Sequence, residues 1–307
     1  AAKEHGVVTQ MGNQGHSGDD MRRLCEWIWD GAIGPVREVH AWTNRPFWPQ
    51  GIGRPEETPA VPDTLNWDLW LGPAPQRPYH PTYHPTKWRG WIDFGTGALG
   101  DMGCHILDPV VWALKLKYPT SVQASFVIDP PNKYEKCAET YPKASLIHYK
   151  FPAREDMPPV AIHWNDGGLM PERPEELEPG RRMGSPAGGV IFVGDKGKIM
   201  CGNVGRSPQL IPYAKMKAYN KPTKSIPRIQ NGEVGHEMNW VRACKGLEKP
   251  CSDFETAGPL TEMVLMGNLA LFYPKQVLEW DEAALQIKNL PDADRYIKPT
   301  YREGWTL

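Results

Sequence analysis

The apolar and polar residues at the start of the chain predict one strand followed by one helix. The stretch GVVTQMGNQ, residues 6–14, is typical of a buried strand that ends in a glycine turn. Apolar residues at helical spacing predict a helix from about residue 18 to residue 29. Ser17 stands three residues before Asp20, a spacing typical of a capping box. A strand, a turn and a helix in this order are typical of the end of a parallel α/β unit.

Alternating apolar and polar residues predict a run of strands in the rest of the chain. The stretches are PVREVHAWTN, SVQASFVI, SLIHYKF, VAIHWN and QVLEWD, and GVIFVGDKGKIMCG adds a hairpin. Helical spacing predicts helices over about residues 98–116, 235–245 and 260–272. Few helices among many strands favour an α+β fold, in which an open and mainly antiparallel sheet carries helices on one face.

Composition and charge narrow the classes of function. The chain has 307 residues and a formal net charge of −1, so composition gives no sign of the basic face that a nucleic-acid partner needs. No run of 18 apolar residues is present, so we expect no membrane span. None of the six cysteines forms a CxxC pair, which leaves free thiols or an incidental disulfide. They are Cys25, Cys104, Cys137, Cys201, Cys244 and Cys251.

The segment from residue 46 to residue 96 is predicted to be irregular and rich in aromatic side chains. Gly and Pro number 30 and 32 in the whole chain, so long loops are expected. Of the 13 tryptophans, six fall between residues 42 and 91. Tryptophans in such loops can plug a core or can form flat platforms for the apolar faces of sugar rings. The sequence leaves both readings open.

The predicted helix over residues 98–116 combines an apolar stripe with a line of polar side chains. Asp101, His105 and Asp108 stand at positions i, i+4 and i+7, so they share one side of the helix. This side is either a solvated polar face or a catalytic one. A carboxylate beside a histidine orients the ring and raises its basicity, which suits a general base near neutral pH.

At this helix the sequence resembles a known family. GDMGCHILD resembles the D-x-x-x-H helix of the Gfo/Idh/MocA oxidoreductases, the relatives of glucose–fructose oxidoreductase and inositol dehydrogenase. The stretches GNQGHS, GAIGPVREVHAW, GVIFVGDKGKI, CSDFETAGPLTEMVLMGNLAL and YREGW agree with the family in the same order. The resemblance implies NAD or NADP as cofactor and a sugar or polyol substrate. It also implies that His105 takes or returns the proton of a hydroxyl and that Asp101 supports it.

Two departures from the family pattern shape the predicted domains. The chain has no G-x-G-x-x-G fingerprint for a dinucleotide. The EKP at residues 248–250 follows a predicted helix, whereas the family's catalytic lysine motif ends a Rossmann strand. The resemblance therefore implies that residues 1–34 are the last unit of a Rossmann domain whose earlier part lies upstream. Residues 35–307 are then the substrate domain, with a tail over 285–307 that can return to the nucleotide domain.

The family resemblance and the residue types together suggest candidate binding residues. Asn13 and Gln14, after the predicted first strand, are expected at the cofactor, although turn chemistry explains their types equally well. The expected substrate-binding residues combine aromatic rings with hydrogen-bonding groups, and a structural loop is the alternative. They are Tyr79, His80, Tyr83, His84, Trp88, Arg89, Asp93, Asp108 and Trp164. Prolines around His80 and His84 disfavour the helix that would align them on a metal, so we expect no metal site.

The resemblance thus implies an NAD(P)-dependent oxidoreductase of a sugar or polyol, inactive as this chain alone if the Rossmann domain is lacking. Two alternatives stay open, a glycosidase or lyase that cycles bound NAD, and a non-catalytic sugar-binding module. We expect a small carbohydrate as substrate and a homo-oligomer formed through the open sheet face. The run NWDLWLGPAPQRPYHPTYHPTKWRGWIDFGTGALGDMGCH resembles a bacterial branch of the family that is often exported by the twin-Arg route, which implies a periplasmic location with a cytoplasmic one as the alternative.

Overall fold

Nine strands form one open sheet in the computed structural model, which describes residues 1–127, 139–298 and 300–305. The strands are β1 Val36–Thr43, β2 Ser121–Val127, β3 Ala144–Phe151, β4 Val160–Asn165, β5 Gly188–Gly194, β6 Gly197–Gly202, β7 Gln209–Ile211, β8 Val277–Asp281 and β9 Gln286–Ile287. The helices are α1 Ala2–His5, α2 Asp19–Trp29, α3 Trp67–Leu71, α4 Gly97–Ile106, α5 Asp108–Ala113, α6 Tyr213–Ala218, α7 His236–Cys244 and α8 Phe254–Leu271.

The strand order confirms the predicted fold class. Along the sheet the order is β7-β6-β5-β1-β4-β3-β2-β8-β9, and each neighbouring pair is antiparallel except β1 with β4. Hairpins and short connections account for the antiparallel pairs, as the run of alternating segments predicts. All the strands and the hairpin predicted from alternation are present; Ile128, the last residue of SVQASFVI, lies outside the described residues. The short strands β7 and β9 were not predicted.

Helices cover one face of the sheet and enclose the main core. Val39, Ile147 and Ile162 point into this core from the sheet, and they are fully buried against apolar residues of α2, α4, α5 and α8. Burial of such large aliphatic side chains stabilises the fold by about 1.5–3 kcal/mol each. The core therefore fixes α4 on the sheet, and with it the candidate histidine.

The other face of the sheet is covered only in part. The loop over residues 166–187 brings Leu177 and Met183 over β1, β5 and β6, where a small apolar cluster forms with Trp42 and Ile191. Beyond this cover the face carries a row of histidines on adjacent strands, which are His40, His163 and His148. Partial burial lowers the pKa of each of the three imidazoles.

The prediction of one helix over residues 98–116 is wrong. The structure has two helices, α4 and α5, which meet at Leu107. Pro109 has no N–H to donate to the carbonyl of residue 105, and its ring crowds that carbonyl. A proline is tolerated in the first turn of a helix, so a new helix begins at Asp108.

Two predictions for the first 34 residues are also wrong. Residues 6–13 form no strand, because no described strand lies beside them; Met11 N instead donates to the carbonyl of Ser252 at 2.8 Å. Ser17 does not cap α2, whose N-cap is Gly18 without a side-chain bond. The hydroxyl of Ser17 forms a hydrogen bond with Nδ1 of His236 at 2.8 Å. This tertiary hydrogen bond stands in place of the predicted capping bond within α2.

The later helices differ from the prediction only in length. The helix predicted over residues 260–272 begins earlier, at Phe254, because the Asp253 side chain accepts a hydrogen bond from Thr256 N at 2.9 Å and caps it. Pro259 lies inside this helix rather than before it. In the tail, Gln286–Ile287 pair with β8, and Arg302 lies against residues 68–73, where it donates to the carbonyl of Gly72 at 2.9 Å. The possible return of the tail to a nucleotide domain thus stays a prediction.

Candidate active site

Small residues bring α4 close to its neighbours and leave one side of the helix accessible. A Cβ added at Gly103 would lie 3.0 Å from a methyl group of Val264 on α8, so a larger residue would require Val264 to shift. Leu99, Met102 and Ile106 are buried on the packed side. The opposite side presents Asp101, Cys104 and His105, each partly exposed. The helix therefore holds a polar line at the surface of a rigid core.

Asp101 does not pair with His105 as expected. Its Oδ1 accepts a hydrogen bond from Nε of Arg89 at 3.0 Å. Arg89 lies on the short 3-10 helix Lys87–Gly90, which packs against α4. A charge-assisted bond to guanidinium is stronger than one to a neutral ring, which explains the preference. His105 makes no hydrogen bond with any residue that the structure describes, so both of its ring nitrogens are available to a ligand.

Cys104 is not a second candidate for the chemistry of this helix. Burial raises the pKa of its thiol to about 11, so the thiolate that would act as a nucleophile is scarce at neutral pH. Its Sγ lies 3.6 Å from the carbonyl of Asp101, an ordinary contact within one helical turn. The imidazole is thus the acid or base that this side of α4 offers.

Asp108 faces away from the line formed by Asp101 and His105, contrary to the prediction. The break at Leu107 turns it inward, where only 3% of it is exposed. One carboxylate oxygen accepts from Nδ1 of His16 at 2.8 Å and the other from Nδ2 of Asn13 at 2.8 Å. The His16 ring in turn stacks on Trp112, with centroids 4.1 Å apart. Asp108 therefore joins the 13–16 turn to α5 and is closed to substrate.

The predicted cofactor residues lie in the same region. The Asn13 amide is fully engaged, since it also accepts from the hydroxyl of Ser252 at 2.7 Å. Gln14 is exposed and donates to Glu237 at 3.2 Å. Asn13 and Gln14 stay predictions as cofactor contacts, and the structure shows that Asn13 already has a structural role. His16, Ser17, His236 and Cys251 complete this polar cluster, which no local sequence signal indicates because its members are distant in the chain.

The aromatic segment contains both of the arrangements that the sequence left open. Tyr83 is a core plug, only 1% exposed and packed edge-on against Trp91 at 4.7 Å, and its contact with substrate stays a prediction. Tyr79, His80, His84 and Trp88 are partly exposed, and Asp93 is exposed. These residues remain candidates for contact with a ligand, as does Arg89 beside Asp101.

Trp164, another residue predicted to bind substrate, is buried, and its contact with substrate stays a prediction. It lies on β4 with none of its surface exposed, because the side chain points into the main core. Its Nε1 donates to Oδ2 of Asp166 at 3.0 Å, and Ser145 donates to the same carboxylate through its backbone N–H at 2.6 Å. Burial raises the pKa of Asp166 to about 6 in spite of these bonds. Trp164 and Asp166 therefore form a buried hydrogen-bonded pair at the end of β4.

Sequence reasoning missed Arg77, which holds Asp93. The Arg77 guanidinium is buried, forms an ion pair with Asp93 and lies 4.9 Å from the ring centre of Phe94. Its Nε and Nη1 have no hydrogen-bond partner. Arginines are usually exposed, so nothing in the local sequence marks this one as buried.

The described residues do not fit the phosphates of a dinucleotide. The only turn that leads into a helix of the predicted Rossmann unit is Gln14–Ser17, ahead of α2. A Cβ at Gly15 would lie 2.5 Å from Cβ of Val204, so this chain's own packing fills the space beside the turn. Asp19 and Asp20 add negative charge to the first turn of α2, which repels an anion there.

The described part of the chain shows no metal site, no disulfide and no membrane-spanning helix. No group of three histidine, cysteine or carboxylate side chains there could hold a metal ion. The five cysteines in these segments are free thiols; Cys137 lies outside them. None of the helices described is long and apolar enough to cross a membrane.

Comparison with known families confirms the resemblance found in the sequence. Residues 36–152 match the Gfo/Idh/MocA family model described as the oxidoreductase family, C-terminal alpha/beta domain. The matched part of the chain includes β1, α4 and β2. No match was found among curated proteins.

Several solved structures have a fold similar to that of this chain. The WlbA dehydrogenase from Bordetella pertussis, solved with NADH and UDP-GlcNAcA, is 13% identical with a TM-score of 0.55, and the match covers 92% of this chain and 66% of that one. Levoglucosan dehydrogenase, solved with NADH and levoglucosan, is 12% identical with a TM-score of 0.52 over 90% and 67%. An NAD binding oxidoreductase from Klebsiella pneumoniae is 14% identical with a TM-score of 0.50 over 92% and 68%. The chain thus spans about two thirds of the length of these proteins.

Proposed function

We propose that this chain carries the substrate side of an oxidoreductase that uses NAD or NADP to oxidise or reduce a hydroxyl-bearing carbon of a sugar or polyol. The observation that supports this most is the position of His105, whose ring nitrogens are unbonded on the accessible side of a helix in an oxidoreductase-family domain. The ligands named for the WlbA dehydrogenase and levoglucosan dehydrogenase are NADH together with a carbohydrate, which agrees with the proposal.

His105 acts in this proposal as the acid or base for the substrate hydroxyl. When an alcohol is oxidised, its O–H proton must leave as the hydride leaves the carbon, and a neutral imidazole near pH 7 can accept that proton. In the reverse direction the imidazolium returns it to the carbonyl oxygen. Arg89 donates a hydrogen bond to Asp101 at 3.0 Å, so the two charged side chains are oriented by each other on the same side of the helix as His105.

The nicotinamide supplies the hydride acceptor or donor, and the described residues cannot hold its phosphates. The proposal therefore assigns residues 1–34 to the end of a dinucleotide-binding domain, as the sequence predicts, and assigns the phosphate contacts to residues outside this sequence. Residues 35–307 form the substrate domain. The protein is proposed to form homo-oligomers through the uncovered half of the sheet face, around His148 and His163, which light scattering of the purified protein would test.

The catalytic role of His105 can be tested in the full protein. His105→Ala should lower kcat for reduction of NAD or NADP by about 100-fold or more, the usual contribution of a general base. The affinity for cofactor, measured by calorimetry, should stay unchanged, because His105 belongs to the substrate side. His5→Ala, an exposed histidine on α1, is the matched control.

The outcomes separate the proposal from its alternatives. Unchanged turnover in His105→Ala would remove the histidine from the mechanism. Release of a free sugar without net formation of NADH would favour a redox-cycling glycosidase or lyase. Carbohydrate binding without turnover in the full protein with either nucleotide would favour a binding module.

A further inference from the structure

A cavity lies on the aromatic segment and is lined in part by Trp88, the residue before Arg89. Its volume is about 390 Å³, within the range of small-ligand pockets. Its walls are mostly aromatic or apolar and include a single charged group. They are formed by Trp70, Leu71, Pro73, Ala74, Trp88, Asp93 and Phe94. A cavity of this composition suits a ligand with a flat apolar surface and a few hydroxyl groups.

The tryptophans of this cavity are fixed in place. Trp70 stacks on Trp67 with centroids 4.7 Å apart and planes 14° apart, and it meets Phe94 edge-on at 4.9 Å. Trp88 lies under the Arg89 guanidinium at 4.9 Å. Both tryptophans nevertheless keep part of their surface exposed. Ring faces that are held by packing lose little conformational entropy when a ligand stacks on them.

Asp93 supplies an oriented hydrogen-bond acceptor to the cavity. The buried guanidinium of Arg77 binds its Oδ2, whereas its Oδ1 has no partner among the described residues. Arg77 is itself fixed between the rings of Phe94 and Tyr83, at 4.9 and 5.4 Å from their centres. The carboxylate thus has one oxygen anchored and the other free to accept from a hydroxyl group.

The tail of the chain holds the opposite wall. Arg302 donates to the carbonyl of Gly72 at 2.9 Å and forms an ion pair with Asp68. The backbone N–H of Arg302 donates to the carbonyl of Pro73 at 3.0 Å. These bonds hold Asp68, Gly72 and Pro73, so this wall of the open cavity is anchored to the tail.

The cavity is connected to the candidate catalytic helix through Arg89. Trp88 lines the cavity, and the next residue, Arg89, reaches Asp101 on α4, one helical turn before His105. We infer that this cavity binds a second, non-reacting sugar ring of the substrate. The substrate class is then a disaccharide, or a longer saccharide, in which one ring meets His105 and the next stacks on Trp88 or Trp70 and donates a hydroxyl to Asp93.

This inference rests on the proposed carbohydrate function, but its test reads binding rather than turnover. Calorimetry on the full protein compares cellobiose, maltose, lactose and melibiose with glucose and galactose. At least one disaccharide should bind about tenfold more tightly than either of its monosaccharides, since a well-packed aromatic contact and a hydrogen bond are each worth about 1 kcal/mol. Trp88→Leu and, separately, Asp93→Asn should each reduce that preference by about threefold to tenfold. Trp240→Leu, a partly exposed tryptophan on α7, should leave the preference unchanged.

Three results would overturn the inference. One is that no disaccharide in the panel binds more tightly than its monosaccharides. Another is an equal loss of affinity for both sugar classes in Trp88→Leu and Asp93→Asn when their melting temperatures match the parent protein. The third is an equal effect of Trp240→Leu. A disaccharide preference that depends on Trp88, in a protein whose turnover is indifferent to His105, would instead keep the cavity assignment and refute the proposed chemistry.

Discussion

Removing the Asp108 carboxylate should cost stability rather than substrate affinity. The side chain receives two hydrogen bonds inside the molecule, one from Asn13 and one from His16, both at 2.8 Å. In Asp108→Ala both donors stay buried and lose their partner, because Asn13 and His16 are each 1% exposed. The variant therefore tests whether this carboxylate is part of the fold or part of a binding site.

The size of the effect follows from the two orphaned donors. A buried polar group left without a hydrogen bond costs about 1–3 kcal/mol, so two of them cost about 2–6 kcal/mol. For a chain of this size that corresponds to a fall in melting temperature of roughly 5–20 °C. Asp108→Asn should lose less stability than Asp108→Ala. The new amide oxygen can accept from His16, and its N–H can donate to Asn13 once the Asn13 amide group has flipped. The Ser252 hydroxyl, which now donates to Asn13, can turn to accept.

Urea unfolding and thermal melting of the three proteins would measure this order. Asp101→Ala is the control, since its pair with Arg89 is partly exposed and should contribute about 1 kcal/mol or less. Sugar binding by Asp108→Ala, measured below its melting temperature, should match that of the parent protein. If stability is within 1 kcal/mol of the parent while sugar binding is lost, the structural role of Asp108 is refuted and it is a ligand contact after all.

Three further predictions concern burial and anchoring. The folded-state pKa of Asp166, about 6 against an ordinary 3.8, means that its contribution to stability is greatest below pH 3.8 and is lost as the pH rises through 6; the loss between pH 4.5 and 7.5 is about 2 kcal/mol by urea unfolding and should be absent in Asp166→Asn. Tyr83→Ala should lower the unfolding free energy by about 3–5 kcal/mol, and a melting temperature equal to the parent would contradict the burial of this ring. Arg302→Ala should cost about 1–3 kcal/mol through its lost bonds to Gly72 and Asp68, and an unchanged urea midpoint would show that the tail does not anchor α3.

Much of the fold could be predicted because the period of apolar residues is a local property. Two-residue alternation in VREVHAWT and ASLIHYKF predicts strands, and β1 and β3 occupy these residues. The helix over residues 18–29 and the hairpin of β5 and β6 follow from equally local signals. The predicted first strand failed for a physical reason, since an apolar run becomes a strand only when another strand lies beside it.

Of the candidate site, the sequence by itself determined the chemistry available on α4, where glycines and a D-x-x-x-H spacing put His105 on the accessible side of a packed helix. Only the tertiary structure decided which polar groups pair with one another. Asp108 is 95 residues from Asn13 and 92 from His16, and Ser252 is 239 from Asn13, so no local pattern could indicate these bonds. Buried hydrogen-bond donors and acceptors must find partners wherever the packed chain brings them together, which places Asp108 inside the molecule, while ring and core packing bury Tyr83 and Trp164 and His105 stays partly exposed.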